Sequence, residues 1–279
     1  MGELSKEPAR LQVVVEADEA DLVSGQLWDL GCLGIEEREE GDTVVLLAGF
    51  SSAIAADRAA GSLGRYTVLE ELGGGDYLDL WREHATWHRA GHRIVVRPTW
   101  VAYDVQPVDL VLHIEPGRTF GSGSHPSTRA VLAALERTLE GGERVLDVGC
   151  GSGVLSVAAA RLGATEVVGI DIDPTAPTIT EANAHRNGVA EMVSAAAISL
   201  AEVPGTYDIV AANIGAAALT ELGSQLAAHL RPGGRLILSG VLHDQIGRVV
   251  DACWPLELVG TIVCDAPEDD WPALILAFP

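Results

Sequence analysis

Residues 144–154 read Arg-Val-Leu-Asp-Val-Gly-Cys-Gly-Ser-Gly-Val. After Arg144, Val145, Leu146 and Val148 are apolar around one carboxylate, Asp147, which marks a buried strand. Val154 to Leu162 then has the apolar content of a helix. Between strand and helix stand Gly149, Gly151 and Gly153, at alternate positions. Glycines so placed let the backbone turn tightly and approach a ligand closely. Asp171 follows the next predicted strand, Glu166 to Ile170, 22 residues beyond Gly149. A carboxylate there can accept both hydroxyls of a ribose. A dinucleotide site would space its glycines as Gly-x-Gly-x-x-Gly, and here the third comes one residue early.

Outward from this stretch, helix and strand alternate. Ser127 to Leu139 reads as a helix with Val131, Leu132 and Leu135 inward. Pro174 or Pro177 opens a helix that ends near Asn187-Gly188. Tyr207 to Ala212 reads as a strand, Ala217 to Leu230 as a helix stopped by Arg231-Pro232-Gly233-Gly234, and Leu236 to Ser239 as a strand. This rhythm predicts an α/β fold: a doubly wound, mostly parallel sheet with helices on both faces. With Asp147 leading the glycine loop, it resembles the class I S-adenosylmethionine-dependent methyltransferases more than the dehydrogenases.

The first 70 residues read differently. Strands are predicted at Leu11 to Glu16, Ile35 to Arg38, Thr43 to Ala48 and Tyr66 to Leu69, with a turn at Gly41-Asp42. Helices follow Asp18, with Ala20, Val23, Leu27 and Leu30 on one face, and Ser51. The order βαββαβ is that of a small α+β, ferredoxin-like split sheet. Gly73-Gly74-Gly75 reads as a hinge. A linker helix is expected over Asp79 to His88, carrying Trp81 and Trp87, followed by strands at Ile94 to Arg97 and Leu110 to Ile114. The expected domains are therefore 1–72, a linker of helix and strands over 73–114, and 115–279.

Composition narrows the function. Of 279 residues, 48% are hydrophobic, so a sizeable core is available and disorder is excluded. No run approaches the length of a membrane span, and the N-terminus has no apolar signal core, so the cytoplasm is expected. The 18 basic and 40 acidic side chains give a net charge of −22. Such a surface repels phosphate backbones and argues against sequence-independent nucleic-acid binding, while it attracts a basic protein. Cys32, Cys150, Cys253 and Cys264 have no Cys-x-x-Cys spacing, and the histidines, including His84 and His88, show no ligand pattern. No metal is expected.

Two further segments carry a closer resemblance. One is Glu115-Pro116-Gly117-Arg118-Thr119-Phe120-Gly121-Ser122-Gly123-Ser124-His125-Pro126-Ser127-Thr128, glycine-rich and ahead of a helix. The other is Ala211-Ala212-Asn213-Ile214-Gly215, at a strand end that faces the same crevice as Gly149 and Asp171. With the Gly169–Pro174 stretch, Asn183 and Arg186-Asn187-Gly188-Val189, they resemble the PrmA family, the methyltransferases of ribosomal protein L11. The likeness spans nearly the whole chain.

It implies cofactor contacts at Thr128, Gly149, Asp171 and Asn213, and S-adenosylmethionine as cofactor. It also implies an N-terminal domain that binds the ribosomal protein and presents its lysines. Gly151, Phe120 and Asp147 join the expected cofactor set, Asp147 as orienter of the loop and of the cofactor's amine. Asn213, Thr128 and His125 are the expected catalytic set, and a monomer is expected. The chain departs from the family at Ser122 and Ser127, where Thr is usual, and at Gly215, where Leu is common. The Asp269-Asp270-Trp271 ending lacks the family's basic tail.

The chemistry asks for little. The leaving group is already activated, so nucleophile and methyl need mainly to be aligned. A lysine amine, pKa about 10.4, must lose its proton, which at pH 7 costs about 4.6 kcal/mol. Asn213 offers a neutral acceptor for amine hydrogens. An adenine methyltransferase would follow such an Asn with Pro-Pro-aromatic, and Ile214-Gly215-Ala216 has no ring to stack on a flipped base. A different basic protein, a small molecule, or a scaffold without chemistry are the other readings.

Overall fold

Strict alternation makes Ala9–Glu16 (β1) a half-buried strand: Leu11, Val13 and Val15 are buried while Val14 and Glu16 face outward. The computed structural model describes residues 9–16, 19–32, 34–41, 43–50, 52–64, 68–71, 85–115, 121–263 and 271–279. The chain divides into two units, Met1–Ala85 and Thr86–Pro279.

In the first unit β1 is followed by helix α1 (Ala20–Asp29), β2 (Gly34–Glu40), β3 (Thr43–Phe50), α2 (Ala53–Leu63) and β4 (Val68–Glu71). The sheet order is β2-β3-β1-β4 and every pair is antiparallel, the ferredoxin-like arrangement expected from the sequence. Ser52 caps α2, accepting from the Ala55 amide at 3.2 Å. Gly64 ends it in a left-handed conformation. Ala53, Ala56, Ala59 and Ala60 bury one face of α2 in a core with Leu11, Leu46 and Phe50. Asp18, Ser51 and the Gly73–Gly75 hinge lie outside the described residues.

The second unit opens with a small sheet, β5 (His88–Ala90), β6 (Ile94–Arg97) and β7 (Leu110–His113), in that order. Here the sequence reading needs correction. His88 belongs to a strand, not to a linker helix, because Gly91, at φ 61°, turns the chain so that His88–Ala90 pairs antiparallel with Ile94–Val96. Residues 79–84 of that expected helix lie outside the described residues. Ala90, Ile94, Val96, Leu112 and Ile114 pack into the same core as helix α3 (Pro126–Thr138), so the described part of 73–114 belongs with the second unit from Thr86 onward.

The large sheet then builds up as β8 (Arg144–Val148), α4 (Val154–Arg161), β9 (Glu166–Ile170), α5 (Ala176–Arg186), β10 (Val193–Ala196), β11 (Tyr207–Asn213), α6 (Ala216–Ala228), β12 (Leu230–Ser239), α7 (Ile246–Ala252), β13 (Glu257–Ile262) and β14 (Ala273–Ala277). Its order is β10-β9-β8-β11-β12-β14-β13, parallel from β10 to β12. β14 is antiparallel to both of its neighbours. Side chains on alternate faces enter different cores. Val145 and Ile209 meet α3 and α4, while Leu146, Val148, Val210 and Ala212 meet α6 and α7. Burial on both faces explains the near-continuous apolar runs of β8 and β11. Pro177, not Pro174, sits in the first turn of α5. β12 begins at Leu230 and runs through Arg231–Gly234, with a register shift opposite Tyr207–Ile209, so those residues do more than stop a helix.

The connection from β8 leads outward to β9 and β10, and the chain returns to place β11 on the other side of β8. Ligands bind in open α/β sheets at this reversal, outside the carboxyl ends of the strands. Among the described residues no helix is long and apolar enough to cross a membrane.

Candidate active site

The glycine loop leaves β8 and closes back on its neighbour strand. The Gly149 and Cys150 amides both donate to the Ile170 carbonyl, at 2.8 and 3.0 Å, and Gly153 N–H donates to the Cys150 carbonyl at 2.7 Å. Gly149 and Gly153 hold φ of 78° and 77°, and neither has room for a side chain. A Cβ on Gly149 would lie 2.4 Å from Ile214 Cγ2, and one on Gly153 would lie 2.7 Å from Thr180 Cγ2. Gly151 has φ 51° and gives its amide to Asp171 Oδ2 at 2.8 Å. Asp171 Oδ1 accepts from the Asp173 amide at 2.9 Å. The acid is thus held against the loop by main-chain bonds, and each oxygen keeps a second lone pair. Beside it Ile172 is 91% exposed, an apolar side chain left uncovered within the crevice segment.

Asn213 ends β11, and its Nδ2 donates to Thr128 Oγ1, in the first turn of α3, at 3.0 Å. Both residues are buried. Among the described residues no group donates to Asn213 Oδ1. The amide therefore arrives oriented, with a neutral acceptor to spare.

His125 is the N-cap of α3. Its Nδ1 accepts from the Ser127 amide at 3.2 Å and lies 2.7 Å from Ser127 Oγ. Trp271 stands edge-on to its ring, centroids 5.0 Å apart. Burial, with Arg129 adding to it, pushes its pKa down to about 4, so the ring is neutral at pH 7. The serine at 127 keeps a hydroxyl in use against this ring.

Asp147 is sealed from solvent. Its Oδ2 accepts from Ser156 Oγ of α4 at 2.6 Å, and its Oδ1 has no hydrogen-bond partner among the described residues. Burial drives its pKa up to about 6, against the Ser156 bonds, with Asp171 adding a further upward push. Its contact is therefore with the helix that the loop opens. Cys150 is buried in the loop, and desolvation raises its thiol well above the ordinary value. Phe120 lies outside the described residues.

One face of α5 adds to the site beyond the residues expected from the sequence. Thr180 Oγ1 donates to the Gly151 carbonyl at 3.2 Å. Asn183 Nδ2 donates to the Ser152 carbonyl at 2.8 Å, and Asn187 pairs with both backbone groups of His113 at 2.8 Å. The signal was present: asparagines are poor helix formers, and two of them four residues apart on one helix face imply a use for their amides. No group of three or more His, Cys, Asp or Glu among the described residues is placed to hold a metal.

Residues 46–277 match the family described as ribosomal protein L11 methyltransferase (PrmA). The chain belongs to this family. A relative from Syntrophotalea carbinolica, named ribosomal protein L11 methyltransferase, is 36% identical over 95% of this chain and 96% of its own. A second of that name, from Pelotomaculum thermopropionicum, is 44% identical over 77% of this chain and 68% of its own. Among solved structures, a ribosomal protein L11 methylase from Lactobacillus delbrueckii subsp. bulgaricus covers 69% of this chain and 97% of its own, at 29% identity and a TM-score of 0.62.

Membership in the PrmA family makes the chain a methyltransferase with S-adenosylmethionine as cofactor. The crevice fits that molecule on its own evidence: a glycine loop with no room for a Cβ, a carboxylate with lone pairs to spare, exposed Ile172 beside it, and an oriented amide at the far strand end.

Proposed function

We propose that this PrmA-family enzyme methylates lysine side-chain amines of ribosomal protein L11, its N-terminal amine falling within the same chemistry. The observation that carries the reading is the buried Asn213–Thr128 pair, with Asn213 Oδ1 unused, at the strand end beside the glycine loop. The names borne by the family and the relatives above support the choice of protein substrate.

S-adenosylmethionine, when bound, supplies a methyl group already activated by its sulfonium. Gly149, Gly151 and Asp171 would hold its adenosine end, with Ile172 offering an apolar face. Thr128 and Asn213 would line the methyl side, and Phe120 is assigned to packing on the cofactor. The chain's remaining task is to receive an amine, remove its solvent and aim its lone pair. Asn213 Oδ1 accepts an amine hydrogen without a fixed charge, so it does not stabilise the ammonium form as a carboxylate would. Desolvation in the crevice lowers the amine's pKa from about 10.4. His125, neutral and engaged as a helix cap, is a positioning residue here, not the base. Asp147 orients the loop through Ser156.

The first unit is assigned to recognition of the basic protein, which the net charge of −22 favours at encounter. The enzyme is assigned to the cytoplasm, as a monomer without nucleic-acid contacts.

The test is intact-mass spectrometry of purified ribosomal protein L11 incubated with the enzyme and S-adenosylmethionine. Whole-methyl increments, mapped to lysines or the N-terminal amine, are expected. No increment, with cofactor binding shown by calorimetry, would discard the ribosomal substrate in favour of another basic protein.

A further inference from the structure

Ser152 and Asn183 join two stretches of chain that are far apart in sequence. Ser152 is fully buried, and its Oγ donates to the Gly121 carbonyl at 2.6 Å while accepting from the Val154 amide at 3.2 Å. Gly121 must be a glycine for this approach, since its Cβ would fall 2.6 Å from Ser152 Oγ. The Ser152 carbonyl is taken by Asn183 Nδ2 at 2.8 Å. The same amide group gives its other hydrogen to the Glu115 carbonyl at 3.0 Å, and Asn183 Oδ1 accepts from the Glu115 amide at 3.0 Å. Arg186 also donates to that oxygen and pairs with the Glu115 carboxylate at 3.0 Å.

Gly121 is therefore fastened to Ser152 directly and Glu115 through Asn183, with Ser152 placed directly after Gly151, whose amide is held by Asp171. Asn183 uses two donors and two acceptor positions at once. No other side chain of its size and charge does this: Asp lacks the donors, and Ala has nothing to offer. The site depends on a carboxamide pointing at two carbonyls, which a side chain of equal volume without donors would leave unpaired.

We propose that Asn183 and Ser152 are positioning residues that set cofactor affinity by fixing Glu115 and Gly121 to the glycine loop. The inference rests on the cofactor reading of that loop. It makes affinity depend on residues that need not touch the ligand.

The experiment is calorimetric titration of the full chain with S-adenosylmethionine, at pH 8 and pH 5.5, for wild type, Ser152→Ala and Asn183→Asp, with turnover measured at saturating cofactor. Ser152→Ala is expected to weaken binding about tenfold, the loss of one buried hydrogen bond, with turnover falling far less. Asn183→Asp is expected to bind more than tenfold weaker at pH 8, where the new carboxylate faces two carbonyls. It should recover part of that loss at pH 5.5 relative to wild type, as the new carboxyl regains a proton to donate. Wild-type affinity in both variants, or equal falls in affinity and turnover, would overturn the proposal. If Asn183→Asp does not fold, Ser152→Ala decides alone. If the wild type fails to bind the cofactor, the reading of the loop itself is lost, a result distinct from the variants binding normally.

Discussion

The side-chain amide of Asn213 donates to Thr128 Oγ1 at 3.0 Å, tying the end of β11 to the first turn of α3. With its nitrogen toward Thr128, the Asn213 oxygen is left as an acceptor that no group among the described residues fills. Thr128→Val keeps the shape and removes the acceptor. It should lower kcat/KM for ribosomal protein L11 roughly tenfold to a hundredfold, the range for leaving a buried donor unpaired, while Thr128→Ser keeps most of the activity. Steady-state kinetics of both variants check this.

Glycine substitutions should sort by what surrounds them. Gly149 and Gly240 both have positive φ, and a Cβ on either would come within 2.4 Å of Ile214, its side chain in one case and its carbonyl in the other. Gly188 has φ 70° with nothing near. Gly188→Ala should cost only about 1–2 kcal/mol, the strain of the left-handed conformation. Gly149→Ala and Gly240→Ala should cost more and displace Ile214 beside Asn213, with cofactor affinity falling as well. Urea unfolding and calorimetry together separate the two classes.

Asp147 and His125 predict opposing pH effects on stability. The Asp147 pKa is raised from 3.8 to about 6, so the native state holds its proton longer than the unfolded chain. Its contribution is full at low pH and is lost as pH rises through about 6. The His125 pKa is lowered from 6.5 to about 4, so its contribution is full at high pH and is lost as pH falls across that window. Each amounts to about 3 kcal/mol at 1.36 per unit. Asp147→Asn should therefore gain on wild type by about 2.4 kcal/mol more at pH 8 than at pH 4, where the unfolded carboxyl is already partly ionised, as read by urea unfolding at both pH values.

Without a protein base, the amine's own ionisation governs the rate. kcat/KM should rise with pH from 6 to 9 with unit slope, because the reactive free amine is the minor species below about pH 10.4. His125→Gln should lower the rate through a poorer helix cap and leave the slope unchanged. A new inflection, or loss of one, in the pH–rate profile of that variant would return His125 to the role of base.

Much of this architecture is written locally. Arg144–Val148 and Glu166–Ile170 fall where the sequence puts them, because both strands are largely buried and apolar, broken within only by Asp147 and Gly169. β10 escapes notice because Val-Ser-Ala-Ala has almost no β-branched content, and only its parallel pairing with β9 makes it a strand. β13 and β14 are likewise fixed by pairing with each other and with β12. The helix expected to run to His88 gives way to a strand there, because the turn at Gly91 returns the chain to pair with Ile94–Val96. In the site, Gly149, Gly151, Asp171 and Asn213 are legible from spacing and strand ends. Ser152 and Thr180 are not, since their bonds reach chain segments about 30 residues away.

The most direct test of the account is single-turnover methyl transfer by Asn213→Ala at saturating cofactor. The account predicts a fall of at least about a hundredfold in rate, the scale for losing an interaction that aligns the nucleophile, with ribosomal protein L11 still bound. A rate equal to wild type would contradict it, because the amine would then be oriented by something other than the amide that Thr128 holds in place.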